Sequence, residues 1–254
     1  MKPILEITEL TKSYGRLTAV DALSMTIKPG EAVAFIGQNG AGKSTTMRAV
    51  AGLASIDTGS IRICGHDIAS EPVEARQHFG YVSQDLDLYN YLTGEEFLML
   101  VAQIRGCAPG DSESEIQALL ELCDLNDARK RLIREYSGGM ARKIAMAGAL
   151  VGSPDLVILD ESFVGLDPES TYRIGKFLKS YVAQGRAILI SSHILDMLHA
   201  MCNRFFILHH GRCVADYSLN ELDELCHSPE TPDITAVYLQ KTGQAGLIRA
   251  DKAF

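Results

Sequence analysis

The sequence lacks any apolar run approaching the roughly 18 residues that a membrane-spanning helix requires. Its N-terminus reaches an acidic residue, Glu6, before a long apolar stretch forms, which is not typical of a signal peptide. We therefore expect any membrane contact to be made through a partner protein.

An excess of basic residues is also absent, since 24 Lys and Arg stand against 32 Asp and Glu and give a net charge of −8. Nucleic-acid-binding proteins usually present a basic face, so this balance argues against that class, although a local basic patch stays possible. The six cysteines form no Cys-x-x-Cys pair and are irregularly spaced. Buried free thiols in a cytoplasmic protein are therefore favoured over a disulfide framework or a zinc site.

The residues that are present predict an α/β fold. With 46% hydrophobic and 22% charged residues, the 254-residue chain can form one large folded domain. Short apolar runs predict buried strands at 32–36, 156–159 and 187–190. Between residues 93 and 151 the apolar spacing becomes helical, and Ser112-x-x-Glu115 is a candidate capping box there. The pattern predicts an α/β core with a helical insertion.

A glycine-rich segment follows the first buried strand: Gly37-Gln38-Asn39-Gly40-Ala41-Gly42-Lys43-Ser44-Thr45. It matches the phosphate-binding pattern G-x-x-x-x-G-K-[ST] and lies between a predicted strand and a predicted helix, as that pattern requires. Glycines let successive backbone N–H groups turn toward phosphate oxygens, and the helix adds its positive N-terminal end. We expect Lys43 to contact the β- and γ-phosphates and Ser44 to bind Mg²⁺.

Two carboxylates, Asp160 and Glu161, follow the buried strand at 156–159. Ligands of open α/β sheets bind at this edge. Asp160 is therefore a candidate Mg²⁺ ligand, and Glu161 a candidate for orienting or deprotonating the attacking water. The alternative is a loop start or a helix cap.

Further motifs occur in an order that resembles the ABC ATPase family, over about residues 4–225. Tyr136-Ser137-Gly138-Gly139-Met140 resembles the family's signature motif, usually Leu-Ser-Gly-Gly-Gln. The other landmarks are Tyr14 at the adenine-stacking position, Gln84 of the Q-loop, the segment 163–167 of the D-loop and the switch histidine His193. Departures from the usual pattern are Tyr136, Met140, Ser162 and Asn203.

The resemblance implies a P-loop NTPase core: a mixed parallel sheet with flanking helices and an antiparallel β subdomain, plus an inserted helical subdomain. It implies a nucleotide-binding domain over 1–225, with the helical subdomain at about 86–151, and a short C-terminal extension over 226–254. It also implies an ATPase that uses ATP and Mg²⁺, pairs with a second such subunit (a homodimer is the first expectation) and works on the cytoplasmic face of a membrane beneath a separate transmembrane permease, without nucleic acid.

The resemblance also assigns roles to residues. Catalytic roles fall to Glu161, His193 and Lys43, and metal binding falls to Ser44, Gln84 and Asp160. Nucleotide binding within the subunit falls to Tyr14, Gly37, Gln38, Asn39, Gly40, Ala41, Gly42, Lys43, Ser44 and Thr45. Contacts to the nucleotide of the second subunit fall to Ser137, Gly138, Gly139 and Asp167.

The segment from Leu92 to Gly106 and the tail from Asp233 to Gly243 resemble subunits of exporters for drugs, polysaccharides, haem or sodium. Import stays an alternative. A DNA-repair or translation ATPase is disfavoured, because the chain has no long coiled-coil insertion and only one such domain. A small-molecule kinase would also use a phosphate loop, but it has no use for Ser137-Gly138-Gly139.

Overall fold

The computed structural model describes residues 2–226 and 231–243, apart from the side chains of 109 and 111. In chain order its strands and α-helices are β1 (Leu5–Tyr14), β2 (Leu17–Ile27), β3 (Ala32–Ile36), α1 (Lys43–Val50), β4 (Thr58–Ile63), β5 (His66–Asp67), α2 (Pro72–Gln77), β6 (Phe79–Val82), α3 (Gly94–Ile104), α4 (Pro109–Leu122), α5 (Gly138–Leu150), β7 (Leu156–Asp160), α6 (Pro168–Ala183), β8 (Ala187–Ser191), α7 (Leu195–Met201), β9 (Arg204–His209), β10 (Arg212–Ser218), α8 (Leu219–Cys226) and α9 (Ile234–Lys241).

Two sheets organise these elements. Strands β2-β1-β4-β5 form an antiparallel sheet, and β10-β9-β3-β8-β7-β6 form a six-stranded sheet. In the larger sheet every neighbouring pair is parallel except β10 with β9. Strands β3 and β7 lie on either side of β8 and run parallel to it. The segments that follow β3 and β7 therefore leave the sheet at the same edge.

The central strands are buried on both faces, which explains their continuous apolar sequences. Along β3, Val33 and Phe35 pack into a core between the two sheets, which also holds α1. Ala34 and Ile36 pack on the opposite face, in a core formed with the helices. Full burial of each larger apolar side chain contributes roughly 1.5–3 kcal/mol, so burial on both faces stabilises the strands that precede the glycine-rich segment and the Asp160-Glu161 pair.

The predicted helical insertion consists of α3, α4 and α5, joined by turns between β6 and β7. The capping box predicted at Ser112 is wrong, because α4 begins at Pro109 and Ser112 already lies within the helix. Glu115 instead accepts a hydrogen bond from the backbone N–H of Gly152 at 2.9 Å. A capping box does open α3, where Thr93 and Glu96 bond each other's backbone N–H. The predicted limits of the nucleotide-binding domain, 1–225, and of its helical subdomain, about 86–151, stay predictions.

Helix α5 packs so closely on β6 that Gly80 has no room for a side chain. A Cβ atom at Gly80 would lie 1.9 Å from the carbonyl oxygen of Ala149. We expect Gly80→Ala to lower the free energy of unfolding by about 1–3 kcal/mol through overpacking, measured by urea denaturation. Gly110→Ala is the matched control, since a Cβ there meets nothing within 4 Å. Equal denaturation midpoints for the two variants would contradict this packing.

Asn203, a departure from the family pattern, anchors the start of β3. Its side chain accepts a hydrogen bond from Ala32 N at 2.9 Å and donates one to Gly30 O at 2.9 Å. Another departure, Ser162, is buried and donates to the carbonyl of Asp160 at 3.3 Å. Both departures therefore satisfy local backbone groups: Ser162 next to Asp160, and Asn203 at the opposite end of β3 from the glycine-rich segment.

All six cysteines are free thiols; Cys123 and Cys202 are buried as expected, and the other four are only partly buried. Cys64 lies beside His78 and Asp155, whose ring nitrogen and carboxylate are 2.7 Å apart. Burial, with a further contribution from Asp155, raises the pKa of the Cys64 thiol to about 12.

Within residues 2–226 and 231–243, no helix has both the length and the apolar character needed to span a membrane.

The C-terminal extension is described only in part, because residues 227–230 and 244–254 lie outside the described residues. The helix expected after Asp233 is present as α9, and Asp233 caps it by accepting a hydrogen bond from Ala236 N at 2.8 Å. Val237 is fully buried and joins the core that lies on the helical side of the large sheet.

Candidate nucleotide-binding site

The glycine-rich loop joins β3 to α1, as the sequence predicted. Gly42, the residue before the helix, has φ of +102°, and a Cβ there would lie 2.5 Å from the carbonyl oxygen of Ala19. Only glycine combines this dihedral angle with this close approach. The loop thus places the N-terminus of α1 at the edge of the sheet, and the first N–H groups of a helix have no intrahelical partner.

Lys43 points back across the loop and is only 6% exposed. Its ammonium group donates hydrogen bonds to the carbonyl oxygens of Gly37 and Gln38, the latter at 3.2 Å. Burial lowers the pKa of Lys43, and the nearby carboxylates of Glu161 and Asp160 partly oppose that shift. Its hydrogen bonds to the two carbonyl oxygens hold the Lys43 side chain where phosphate oxygens would approach the loop.

Asp160 ends β7 and is fully buried. Its Oδ1 accepts hydrogen bonds from Ser44 Oγ at 3.1 Å and from Ser191 Oγ at 2.7 Å. Among the described residues, its Oδ2 has no hydrogen-bond partner. A hydroxyl beside a carboxylate supplies the oxygen ligands that Mg²⁺ prefers, so Ser44 and Asp160 fit a Mg²⁺ ion.

Glu161 follows with φ of +50°, a left-handed backbone conformation that is uncommon outside glycine and clusters at functional sites. Its N–H donates to both the carbonyl oxygen of Ser191 at 3.2 Å and the hydroxyl of that residue at 3.1 Å. The Glu161 carboxylate is buried and accepts no hydrogen bond within the described chain. His193 Nε2 lies 3.2 Å from its Oε1, within ion-pair distance but without hydrogen-bond alignment.

These groups surround one cleft of about 380 Å³. Its lining consists of Tyr14, Leu17, Ala19, Gln38, Asn39, Gly40, Gly42, Lys43, Ser44, Thr45, Gln84, Glu161 and His193. Three other predicted residues, Gly37, Ala41 and Asp160, do not line the cleft themselves but adjoin residues that do. Tyr14 is half-exposed at the cleft, with Lys12 Nζ 5.3 Å from its ring centre, so one ring face stays accessible to an aromatic base.

The signature-motif residues do not line this cleft. Ser137 caps α5 by accepting a hydrogen bond from Met140 N at 3.2 Å, and both Ser137 and Gly138 are exposed. A Cβ at Gly139 would lie 3.2 Å from the carbonyl oxygen of Gly165. The N-terminus of α5 therefore forms a second, separate surface suited to an anion.

Asp167 lies close to this second surface. It caps α6, accepting a hydrogen bond from Ser170 N at 2.8 Å, and it lies 3.4 Å from Lys143 Nζ on α5. The hydrogen bonds from Ser170, strengthened by Lys143, hold the pKa of Asp167 well below its usual range. Asp167 thus stays ionised and ties the D-loop segment to the signature helix.

Two contacts at the cleft were missed by the sequence analysis. Ser191 pairs with Asp160 across β8 and β7, and it could have been found as the polar residue that ends the neighbouring buried strand. Arg142, on α5, donates to the carbonyl oxygen of Glu161 at 3.4 Å. No sequence signal points to this second contact, because it depends on how α5 crosses the sheet edge.

Comparison with known proteins agrees with this geometry. Residues 20–164 match the family model described as ABC transporter. The chain is 36% identical over 212 residues to the Nod factor export ATP-binding protein I of Paraburkholderia xenovorans, covering 84% of this chain and 70% of that protein. It is 35% identical over 212 residues to the linearmycin resistance ATP-binding protein LnrL of Bacillus subtilis, covering 84% and 68%.

A solved structure described as that of the ATP-binding subunit of an ABC transporter has a TM-score of 0.88 and 32% identity, covering 94% of this chain and 99% of that one. This likeness confirms the predicted fold class, a P-loop NTPase core that carries an antiparallel sheet and a helical insertion.

Proposed function

The chain belongs to the ABC transporter ATP-binding family, and from this premise we propose that it binds and hydrolyses ATP to power a membrane exporter. The observation that carries the proposal is the Glu161 carboxylate, which is buried beside His193 at the cleft that the phosphate loop also lines. Within the part of the chain that the structure describes, it accepts no hydrogen bond. A carboxylate in this position can hold and deprotonate a water molecule. The test is release of inorganic phosphate from MgATP by the purified chain with its membrane partner.

We assign the binding roles from the cleft. Tyr14 stacks on the adenine, and residues 37–45 surround the phosphates with backbone N–H groups and the Lys43 ammonium. Ser44 and Asp160, together with Gln84 from the cleft lining, would hold Mg²⁺, which would neutralise charge on the phosphates.

Hydrolysis then requires a water in line with the γ-phosphate. Glu161 accepts its proton, and His193, half-exposed at the cleft, contacts the γ-phosphate and that water. Phosphate transferred to a second small molecule, instead of released to water, would favour the kinase alternative.

The second anion surface is assigned to the partner's nucleotide. Because Ser137, Gly138, Gly139 and Asp167 do not line the cleft of their own chain, a head-to-tail dimer is the arrangement that would let them contact ATP. ATP then joins the two subunits by supplying contacts to both, and loss of the γ-phosphate loosens the pair. A homodimer is the simplest case.

Ser137→Arg tests this assignment in a Glu161→Gln background, which slows hydrolysis. The bulky cation at the start of α5 is expected to prevent ATP-dependent dimerisation in size-exclusion chromatography while each monomer still binds ATP. Ser180→Arg, on an exposed part of α6, is the matched control and should still dimerise. A Ser137→Arg protein that dimerises normally would contradict the role across the interface.

Export is proposed from the relatives, which are described as serving Nod factor export and linearmycin resistance. The chain would act at the cytoplasmic face of a membrane, beneath a separate permease that selects the cargo. Copurification of a multi-spanning membrane protein with the tagged chain tests this partnership.

A further inference from the structure

The C-terminal helix α9 reaches the phosphate loop through one polar contact. Tyr238 is 7% exposed, and its phenol oxygen accepts a hydrogen bond from the backbone N–H of Gln38 at 3.2 Å. The two residues are 200 positions apart in the chain, and Gln38 is the second residue of the loop. The C-terminal extension therefore supplies a hydrogen-bond acceptor to the backbone of the phosphate loop.

The same helix lies against the histidine segment. Tyr238, together with Thr235 and Leu239, lines a cavity of about 230 Å³ whose other wall includes Gln38, Ser192 and His193. One face of α9 therefore borders both segments that would contact the γ-phosphate.

Helix α9 is itself well anchored. Asp233 caps its first turn, Val237 is fully buried, and Ile234 is 4% exposed. Thr242 closes its end by donating to the carbonyl oxygen of Tyr238 at 3.0 Å. The phenol oxygen of Tyr238 therefore lies on a well-packed helix, so its hydrogen bond can limit movement of the phosphate loop.

We propose that Tyr238 is a positioning residue that fixes the start of the phosphate loop for nucleotide binding. This inference rests on the proposed function, because it assumes that the loop holds ATP. Without the phenol oxygen of Tyr238, the backbone N–H of Gln38 turns toward solvent in part of the population. Only a fraction of the molecules then has the phosphate loop already in its binding conformation. Because the hydrogen bond of the phenol oxygen is made to the loop and not to Glu161 or His193, we expect the effect to fall on binding and to leave the hydrolytic step unchanged.

Tyr238→Phe in the full chain is the direct test, since it removes only the phenol oxygen. One neutral hydrogen bond corresponds to a change of about 3- to 10-fold, so we expect ATP binding to weaken by that factor in a fluorescent-nucleotide titration. With the membrane partner present, KM for ATP should rise by a similar factor while kcat stays the same.

Tyr181→Phe is the matched control. Tyr181 is also buried, and its hydroxyl donates a hydrogen bond to the carbonyl oxygen of Pro154, away from the cleft. It should lower thermal stability without changing ATP affinity. Unchanged ATP affinity in Tyr238→Phe, or an equal loss in both variants, would overturn the inference. Failure of the unmodified chain to bind ATP would instead overturn the proposed function, and this inference with it.

Discussion

Glu161→Gln is expected to lower the rate of ATP hydrolysis by about 10²- to 10⁴-fold, the usual contribution of a positioned general base. Glutamine keeps the size of the side chain and its place beside His193 but cannot accept the proton of the attacking water. The backbone bonds from the N–H of residue 161 to Ser191 do not involve the carboxylate and should persist. Phosphate release in a single-turnover assay measures the loss.

Nucleotide binding should survive this change, because the phosphate loop and Lys43 are untouched. The variant should therefore accumulate an ATP-bound dimer, detectable by size-exclusion chromatography. Glu74→Gln, an exposed glutamate on α2, is the matched control and should hydrolyse ATP normally. If Glu161→Gln hydrolysed ATP at the normal rate, Glu161 could not be the base, and His193 would become the first candidate.

Lys43→Ala is expected to weaken ATP binding itself, by roughly 10- to 150-fold, since a hydrogen bond to a charged group contributes about 1.5–3 kcal/mol. The loss has a second cause in this structure. The charges of Asp160 and Glu161 interact with the Lys43 ammonium, and without it they would face the triphosphate unneutralised. A titration with fluorescent nucleotide in the presence of Mg²⁺ measures the dissociation constant.

Lys130→Ala removes an exposed lysine of the helical insertion and serves as the control for net charge. It should bind ATP as the unmodified chain does. Thermal unfolding of Lys43→Ala should remain cooperative, which separates a lost ligand contact from a lost fold. Normal ATP affinity in Lys43→Ala would show that the nucleotide does not lie on this loop.

Most of the cleft could be predicted because its parts follow from local sequence. The buried strands β3 and β7 are continuous apolar runs, and each is followed directly by its chemical motif. Parallel strands then bring Lys43 and Asp160 to one sheet edge without any further information. The order of the motifs predicted the family, which the comparisons confirm.

The remaining contacts depend on tertiary packing that no local pattern encodes. Ser112 matched the capping-box pattern, yet α4 starts earlier, and Glu115 is used by the loop at Gly152 instead. Tyr238 meets the phosphate loop only because α9 folds back over the sheet edge. Such contacts become visible only when the packing of distant segments is known.

In the proposed dimer, the bond from Arg142 to the backbone of Glu161 would connect the two hydrolytic sites. Helix α5 begins at the surface assigned to the partner's ATP, and on its first turns it also holds the backbone of its own chain's base. If α5 shifted on engaging the neighbouring nucleotide in the proposed dimer, this bond would couple that shift to the backbone of Glu161 in its own chain. Each subunit of such a dimer would then respond to whether the other subunit holds ATP, so the two hydrolysis reactions would be coupled.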